Sequence, residues 1–234
     1  MENIKNVPLV SILIPTYNRP HYFKIALESA LAQTYSNIEI IVGDDSTNNE
    51  TEKLIYRDYL HKHKHITYIR NPSTLGQFHN ALMLLEQSNG EYINFLMDDD
   101  IFYNNKIEKM MFHFQQDLNK NLALITSYRT WINDNGDTIE QHPSMKRSYD
   151  EDTLLNVKDF GNHMLILGHN TIGEPTTVFF RKRLLTKSFG ILNGRNYSCS
   201  VDMDSWISLL SKGHTITFKF IPPSYWTAST SQIP

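Results

Sequence analysis

Tyr92-Ile93-Asn94-Phe95-Leu96-Met97-Asp98-Asp99-Asp100 sets a short, mostly apolar run directly against three consecutive aspartates. Aspartate forms neither helix nor strand well, so propensity does not account for three of them together. Adjacent carboxylates repel one another, and burying them unpaired is costly. A divalent cation removes both costs. Mg²⁺ and Mn²⁺ prefer hard oxygen ligands and are commonly held by one or two carboxylates together with substrate phosphates. The stretch therefore reads as a strand ending in a metal–diphosphate site. The alternative is a solvated acidic turn capping the helix that starts near Asn104, because aspartate is also a favoured helix cap. This stretch alone leaves both readings open.

Upstream, strands and helices alternate. Val10 to Ile14 is a β-rich apolar run stopped by Pro15. Phe23, Ala26, Leu27, Ala30 and Leu31 fall at helical spacing between Pro20 and Gln33, and proline suits a first helical turn. Ile38 to Val42 predicts a second strand, Asn49 to His61 a helix, Ile66 to Ile69 a third strand, and Gln77 to Gln87 a helix. Tyr92 to Met97 is then the fourth strand and Asn104 to Asp117 the next helix. Runs such as Ser11-Ile12-Leu13-Ile14 are apolar on both faces, as parallel strands covered on two sides must be. The expected first half is a βαβαβαβ unit with helices on both faces of a mostly parallel sheet.

The second half is less regular. Strands are expected at Leu122 to Tyr128, Thr176 to Phe180 and His214 to Ile221, with a helix over Asp202 to Lys212 ended by Gly213. Asn133-Asp134-Asn135-Gly136-Asp137 marks a hairpin turn, with positive φ allowed at both Asn135 and Gly136. Gln141 to Asp152 reads as loop. The alternation of His61, His63 and His65 would suit a metal site on a strand, but they span a helix end and loop and read as a solvated surface.

Composition bounds the function. The 234 residues suit one domain, and 40% hydrophobic residues suffice for a sizeable core. A net charge of −3 carries no nucleic-acid footprint. Cys199 is the sole cysteine, which excludes an internal disulfide framework and fits a reducing, cytoplasmic compartment. The N-terminal residues do not read as a signal peptide, and no window is long and apolar enough for a membrane span.

In an open α/β sheet, ligands bind beyond the carboxyl ends of the strands. Three polar clusters fall there: Pro15-Thr16-Tyr17-Asn18-Arg19, Asp44-Asp45-Ser46 and Asp98-Asp99-Asp100. Separately, each has a plain reading as caps and local packing. Together they describe a nucleotide site, with a ring to stack on a base, a carboxylate to accept a base N–H, and an acidic cluster for a metal and diphosphate. The blocks VSILIPTYNRP, QTYSNIEIIVGDDST and GEYINFLMDDD resemble the family 2 glycosyltransferases of the GT-A fold, whose pattern runs VSVIIPTYNR, QTYxxxEIIVVDDGST, GEYIxFLDDDD. The resemblance covers about the first 130 residues. It implies a single GT-A domain, with a nucleotide-sugar half over about 8–130 and a smaller, mixed acceptor-side half over about 131–234. It also implies an inverting, Mg²⁺- or Mn²⁺-dependent hexosyltransferase.

Under that resemblance, Thr16 and Tyr17, flanked by Pro15, Asn18 and Arg19, border the base. Asp45 hydrogen-bonds the base with Asp44 nearby, and Gly76 and Asn80 support the donor. Asp98 sits by the sugar or ribose, while Asp99 and Asp100 face the metal and diphosphate. Val201-Asp202-Met203-Asp204-Ser205-Trp206-Ile207-Ser208 matches the segment "EDxxLWLR" and places Asp202 as general base, with Asp204 as runner-up. Glu174, Asp204 and Trp206 are the expected acceptor contacts. Val201 and Ser208 depart from the pattern, and Tyr225 to Gln232 lacks the Arg-x-His that many relatives carry. The implied partners are a nucleoside-diphosphate sugar, most simply a UDP-sugar, and a saccharide or lipid-linked saccharide acceptor. The implied setting is surface-polysaccharide or glycoconjugate synthesis, in the cytoplasm or peripherally at the inner membrane face. A sugar-phosphate nucleotidyltransferase would need a glycine-rich phosphate loop after the first strand, where Pro15 to Arg19 stands. A non-catalytic sugar-nucleotide-binding protein would predict loss of the aspartates. A dinucleotide-binding dehydrogenase is disfavoured because no GxGxxG follows a strand.

Overall fold

The computed structural model describes residues 7–139, 153–155, 166, 170, 172–185, 189–192, 194–196, 201–211 and 215–227. Strand β1 (Val10–Thr16) is buried along its whole length. It pairs in parallel with β2 (Ile38–Asp44) on one side and β4 (Tyr92–Phe95) on the other. β3 (Ile66–Arg70) extends the parallel set beyond β2. The helices between them are α1 (Pro20–Leu31), α2 (Glu50–Asp58) and α3 (Gln77–Gln87), followed by α4 (Lys106–Gln116).

Side chains alternate across a strand, and both faces of β1 are apolar. Val10, Ile12 and Ile14 meet Phe23 and Leu27 of α1 and Met110 and Phe114 of α4. Leu13 faces the other way, with Ala81, Leu84 and Leu85 of α3. This two-sided burial is why the β1 segment reads as a continuous apolar run. Truncating a core side chain such as Ile12 would cost about 2–5 kcal/mol.

β6 (Leu122–Ile132), β8 (Val178–Arg181) and β11 (Thr215–Thr227) complete the main sheet, with β5 (Asp100–Ile101) at its end. The order is β3-β2-β1-β4-β8-β6-β11-β5, and β7 (Thr153–Leu155) also pairs with β11. β8 runs antiparallel to both β4 and β6, while β11 runs parallel to β6. After β8 come a single turn of helix, α5 (Lys182–Leu185), a two-stranded ribbon of β9 (Ile191–Leu192) and β10 (Arg195–Asn196), and α6 (Val201–Ser211). The α/β class and parallel first half agree with the sequence reading.

Three details differ. Strand β4 stops at Phe95, Asp98 and Asp99 form a turn, and Asp100 opens β5, paired opposite Trp226 of β11. The aspartates therefore straddle a turn between two strands and do not simply terminate one. At the hairpin, only Gly136 takes a positive φ, of 85°. Asn133 shapes the turn by accepting the Asn135 and Asp137 N–H groups at 3.0 Å each. β6 and β11 both extend past their expected ends, because each completes the other's hydrogen-bond ladder as far as Ile132 and Thr227. Residues 141–152, expected as loop, lie outside the described residues.

Candidate active site

The first, second and fourth strands deliver their polar loops to one place. Thr16 Oγ1 donates to Asp98 Oδ2 at 2.8 Å, and the Tyr17 N–H donates to the same oxygen at 3.3 Å. Arg19, the residue before α1, reaches across with Nη1 to Asp99 Oδ2 at 2.8 Å and Asp98 Oδ1 at 3.4 Å. Burial pushes the Asp98 carboxyl up to about 6, with Asp99 adding to the shift and the Thr16 hydroxyl and Arg19 opposing it. The Tyr17 ring is about half exposed, at 48%, which suits stacking.

Asp45 organises the loop before α3. Its Oδ1 accepts from Asn71 Nδ2 and the Leu75 N–H, each at 2.8 Å, and its Oδ2 from the Gly76 N–H at 2.7 Å. Gly76 can present that N–H because it holds φ at 83°, which an L side chain resists. Asn80 Nδ2 donates to the Gly43 carbonyl at 2.9 Å, and a side chain at Gly43 would place Cβ 2.3 Å from Asn80 Oδ1. The chain itself thus already draws on the Asp45 carboxylate expected at the base.

These loops enclose a cavity of about 360 Å³. Pro15, Thr16, Tyr17 and Arg19 line it from the end of β1 and the loop after it, Asp45 from the loop after β2, Gly76 and Asn80 from the start of α3, and Asp98 and Asp99 from the turn after β4. Asn18 and Asp44 do not line it. Asn18, at φ 54°, ties the first loop to the second, receiving the Thr47 N–H and donating its own N–H to Ser46 Oγ. Asp44 is fully buried and accepts from Tyr68 Oη at 2.6 Å and the Ser46 N–H at 2.9 Å. Both hold loops in place.

A second cavity, of about 330 Å³, shares Gln77, Met97 and Asp99 with the first. Asp99, Asp100, Glu174 and Asp202 stand on its polar side, and Phe78, Phe95 and Phe189 on its apolar side. Asp202, in the first turn of α6, accepts a hydrogen bond on Oδ2 from Asn170 Nδ2 at 2.7 Å. Glu174 pairs with Arg129, and burial brings that guanidinium down to about 10.

Two residues expected at the acceptor lie elsewhere. Trp206 has no exposed surface, packs against Phe180, and donates Nε1–H to the Gly173 carbonyl at 3.0 Å. Asp204 is also buried and lines neither cavity. A helix exposes only one of its faces to a site, and Asp202 is the acidic residue of α6 on that face. Asn170, which orients Asp202, carried no signal in the sequence, because the contact joins residues remote in the chain. Thr74 and Gln77 also line the first cavity without having stood out in the sequence.

Two carboxylates of the run suit a divalent cation. Asp98 is engaged through both oxygens, by Thr16, Tyr17 and Arg19. Asp100 is almost fully buried, and its Oδ1 has no hydrogen-bond partner. Burial drives its carboxyl well above the usual range. A lone buried carboxylate oxygen next to the partly exposed Asp99 is the donor pair that a hard cation and a diphosphate would complete. Among the described residues no three His, Cys, Asp or Glu side chains form a ready cage. The His63 and His65 rings instead meet edge to face, 5.8 Å apart.

Residues 11–189 match the model of the family described as Glycosyl transferase family 2. An uncharacterized glycosyltransferase of Rickettsia felis is 32% identical over 211 residues, covering 87% of this chain and 31% of that protein. One from Methanocaldococcus jannaschii is 30% identical over 145 residues, covering 62% of this chain and 49% of its own. The chain therefore spans less than half the length of these curated relatives. Among solved structures, S. aureus TarS 1–349 in complex with UDP-GlcNAc aligns with a TM-score of 0.71 at 17% identity, over 96% of this chain and 59% of that one. A mannosyltransferase of Pyrobaculum calidifontis in complex with GDP-Man and Mn²⁺ aligns at 0.62 and 15% identity, over 93% and 58%. These neighbours share the GT-A fold. With a family match that runs from β1 through the second cavity's Glu174 and Phe189, this chain belongs to glycosyl transferase family 2.

Proposed function

We propose that the chain is an inverting glycosyltransferase that moves a sugar from a nucleoside diphosphate, most simply UDP, to an acceptor hydroxyl. The observation that carries this is the pair of adjoining cavities that share Asp99, with the Asp202 carboxylate on the wall of the second. The nucleotide occupies the first cavity, with its base against Tyr17 and near Asp45. The transferred sugar and the acceptor meet in the second. Asp202 takes the proton of the acceptor hydroxyl as its oxygen bonds to the anomeric carbon, and the bond to the diphosphate breaks on the opposite face. Asn170 keeps one Asp202 oxygen occupied and so orients the other. Arg19, at the seam beside Asp98 and Asp99, is placed to meet diphosphate oxygens. Asp99 and Asp100 are the residues that would hold Mg²⁺ or Mn²⁺. A bound cation would neutralise charge on the departing diphosphate. Glu174, held by Arg129, is an acceptor contact.

UDP and GDP sugars appear with different structural neighbours, so the base is read from this chain's own pocket. A saccharide or lipid-linked saccharide acceptor, surface-polysaccharide or glycoconjugate synthesis, and a cytoplasmic or membrane-face setting complete the proposal. Among the described residues no helix is long and apolar enough to cross a membrane. The test is to incubate the protein with a panel of UDP- and GDP-sugars, in Mn²⁺ or in EDTA, and follow nucleotide release. The anomeric configuration of a transferred product is then read by NMR. Retained configuration would refute inversion, and equal rates in EDTA would refute the metal.

A further inference from the structure

Helix α4 opens with a lysine that has no exposed surface. Lys106 Nζ donates to Asn94 Oδ1 and to the Thr176 carbonyl, each at 2.6 Å, and lies 4.3 Å from the centre of the Phe102 ring. Burying an ammonium is costly unless its N–H groups are met. Two oxygens and an aromatic face meet them here. An apolar residue would fill a core position at lower cost, so the position calls for a reason beyond packing.

The reason lies one residue further on. Thr176 Oγ1 donates a hydrogen bond to Asp100 Oδ2 and accepts the Met97 N–H at 3.1 Å. The Thr176 carbonyl is gripped twice, by Lys106 and by Asn94 Nδ2 at 3.0 Å. A chain of contacts therefore runs from Lys106 through Thr176 to Asp100. At its end Asp100 has one oxygen fixed and the other, Oδ1, buried without a partner.

We infer that Lys106 is a positioning residue for the cation site: it anchors the Thr176 carbonyl so that the Thr176 hydroxyl holds Asp100 Oδ2 and leaves Oδ1 for a divalent cation. This rests on the proposed role of Asp100 as a metal ligand. Groups that orient a metal's ligands typically contribute about 10- to 100-fold in metal affinity.

The experiment uses the full chain and whichever of UDP or GDP the wild type binds more tightly, titrated by calorimetry across a series of MnCl₂ concentrations. The half-effective Mn²⁺ concentration should rise by about 10- to 100-fold in Lys106→Met and in Thr176→Val. The double variant should be no worse than the poorer single, because both act on one carboxylate. Melting temperature is measured alongside. A purely structural lysine would lower it and leave the Mn²⁺ requirement unmoved. If Lys106→Met does not fold, Lys106→Gln, which keeps a donor but removes the charge, takes its place under the same criteria. A wild type whose nucleotide binding ignores Mn²⁺ overturns both this inference and the metal reading beneath it. A Mn²⁺-dependent wild type with an unchanged requirement in the Lys106 variant, or additive losses in the double variant, overturns this inference alone.

Discussion

Replacing Asp202 with asparagine separates chemistry from architecture at this site. Asn170 Nδ2 donates to Asp202 Oδ2 at 2.7 Å. The amide oxygen of an asparagine can accept the same bond, which turns its NH₂ toward the cavity. The variant thus exchanges a lone pair for a donor where the acceptor proton must go, without emptying the space. Changing a charge-assisted hydrogen bond to a neutral one costs about 1 kcal/mol, so melting should fall by only about 2–4 °C for a chain of this size. Losing a positioned base should slow transfer by about 100- to 10,000-fold, or roughly 2.7–5.4 kcal/mol of barrier. The assay is initial transfer rate at saturating donor and acceptor, with donor affinity by calorimetry. Donor affinity should hold. Asp204→Asn is the control, since Asp204 is buried and lines neither cavity, and its cost should appear in stability. Turnover within about tenfold of wild type in Asp202→Asn would refute the assignment.

Gly43→Ala drives a methyl group to within 2.3 Å of Asn80 Oδ1 and 3.1 Å of Leu84 Cγ. Overpacking and the displaced Asn80 hydrogen bonds should cost about 2–4 kcal/mol, seen as a lower melting temperature together with weaker nucleotide binding. Trp206→Phe removes the bond to the Gly173 carbonyl, which Asn170 also serves at 2.8 Å. We expect a stability loss of about 1–3 kcal/mol with donor affinity unchanged, and an unchanged melt accompanied by a raised acceptor KM would return Trp206 to the acceptor. The Asp98 carboxyl sits at about 6 when folded, above the ~3.9 of an unfolded aspartate. The folded state therefore holds an extra proton between those values, and the stability this contributes is complete below about pH 4 and lost as pH rises through 6. In EDTA, the melting temperature of Asp98→Asn relative to wild type should rise from pH 5 to pH 7.5, and a constant difference would argue against the shift.

The parallel half and the loops around the first cavity were legible in the residues because their determinants are local. β1 is apolar on both faces, and Pro15 to Arg19 and Asp44 to Ser46 follow their strands at once, so any fold that pairs those strands brings the loops together. The resemblance to family 2 patterns added roles, and Asp202 does reach the second cavity. What the sequence could not supply depended on contacts between distant segments. Asp44 and Asp45 are neighbours of the same type, yet Tyr68 draws one into the core while the loop before α3 leaves the other in the cavity wall. Asp98, Asp99 and Asp100 are identical in type, and they differ only because Thr16 and Arg19 come from β1's loop, Thr176 from the approach to β8, and β11 pairs beside Asp100. Asp202 and Trp206 share one helix, and the direction that helix turns toward Gly173 decides which of them is core. A carboxylate's role follows from its burial and its partners, and the chain sets those only when it folds.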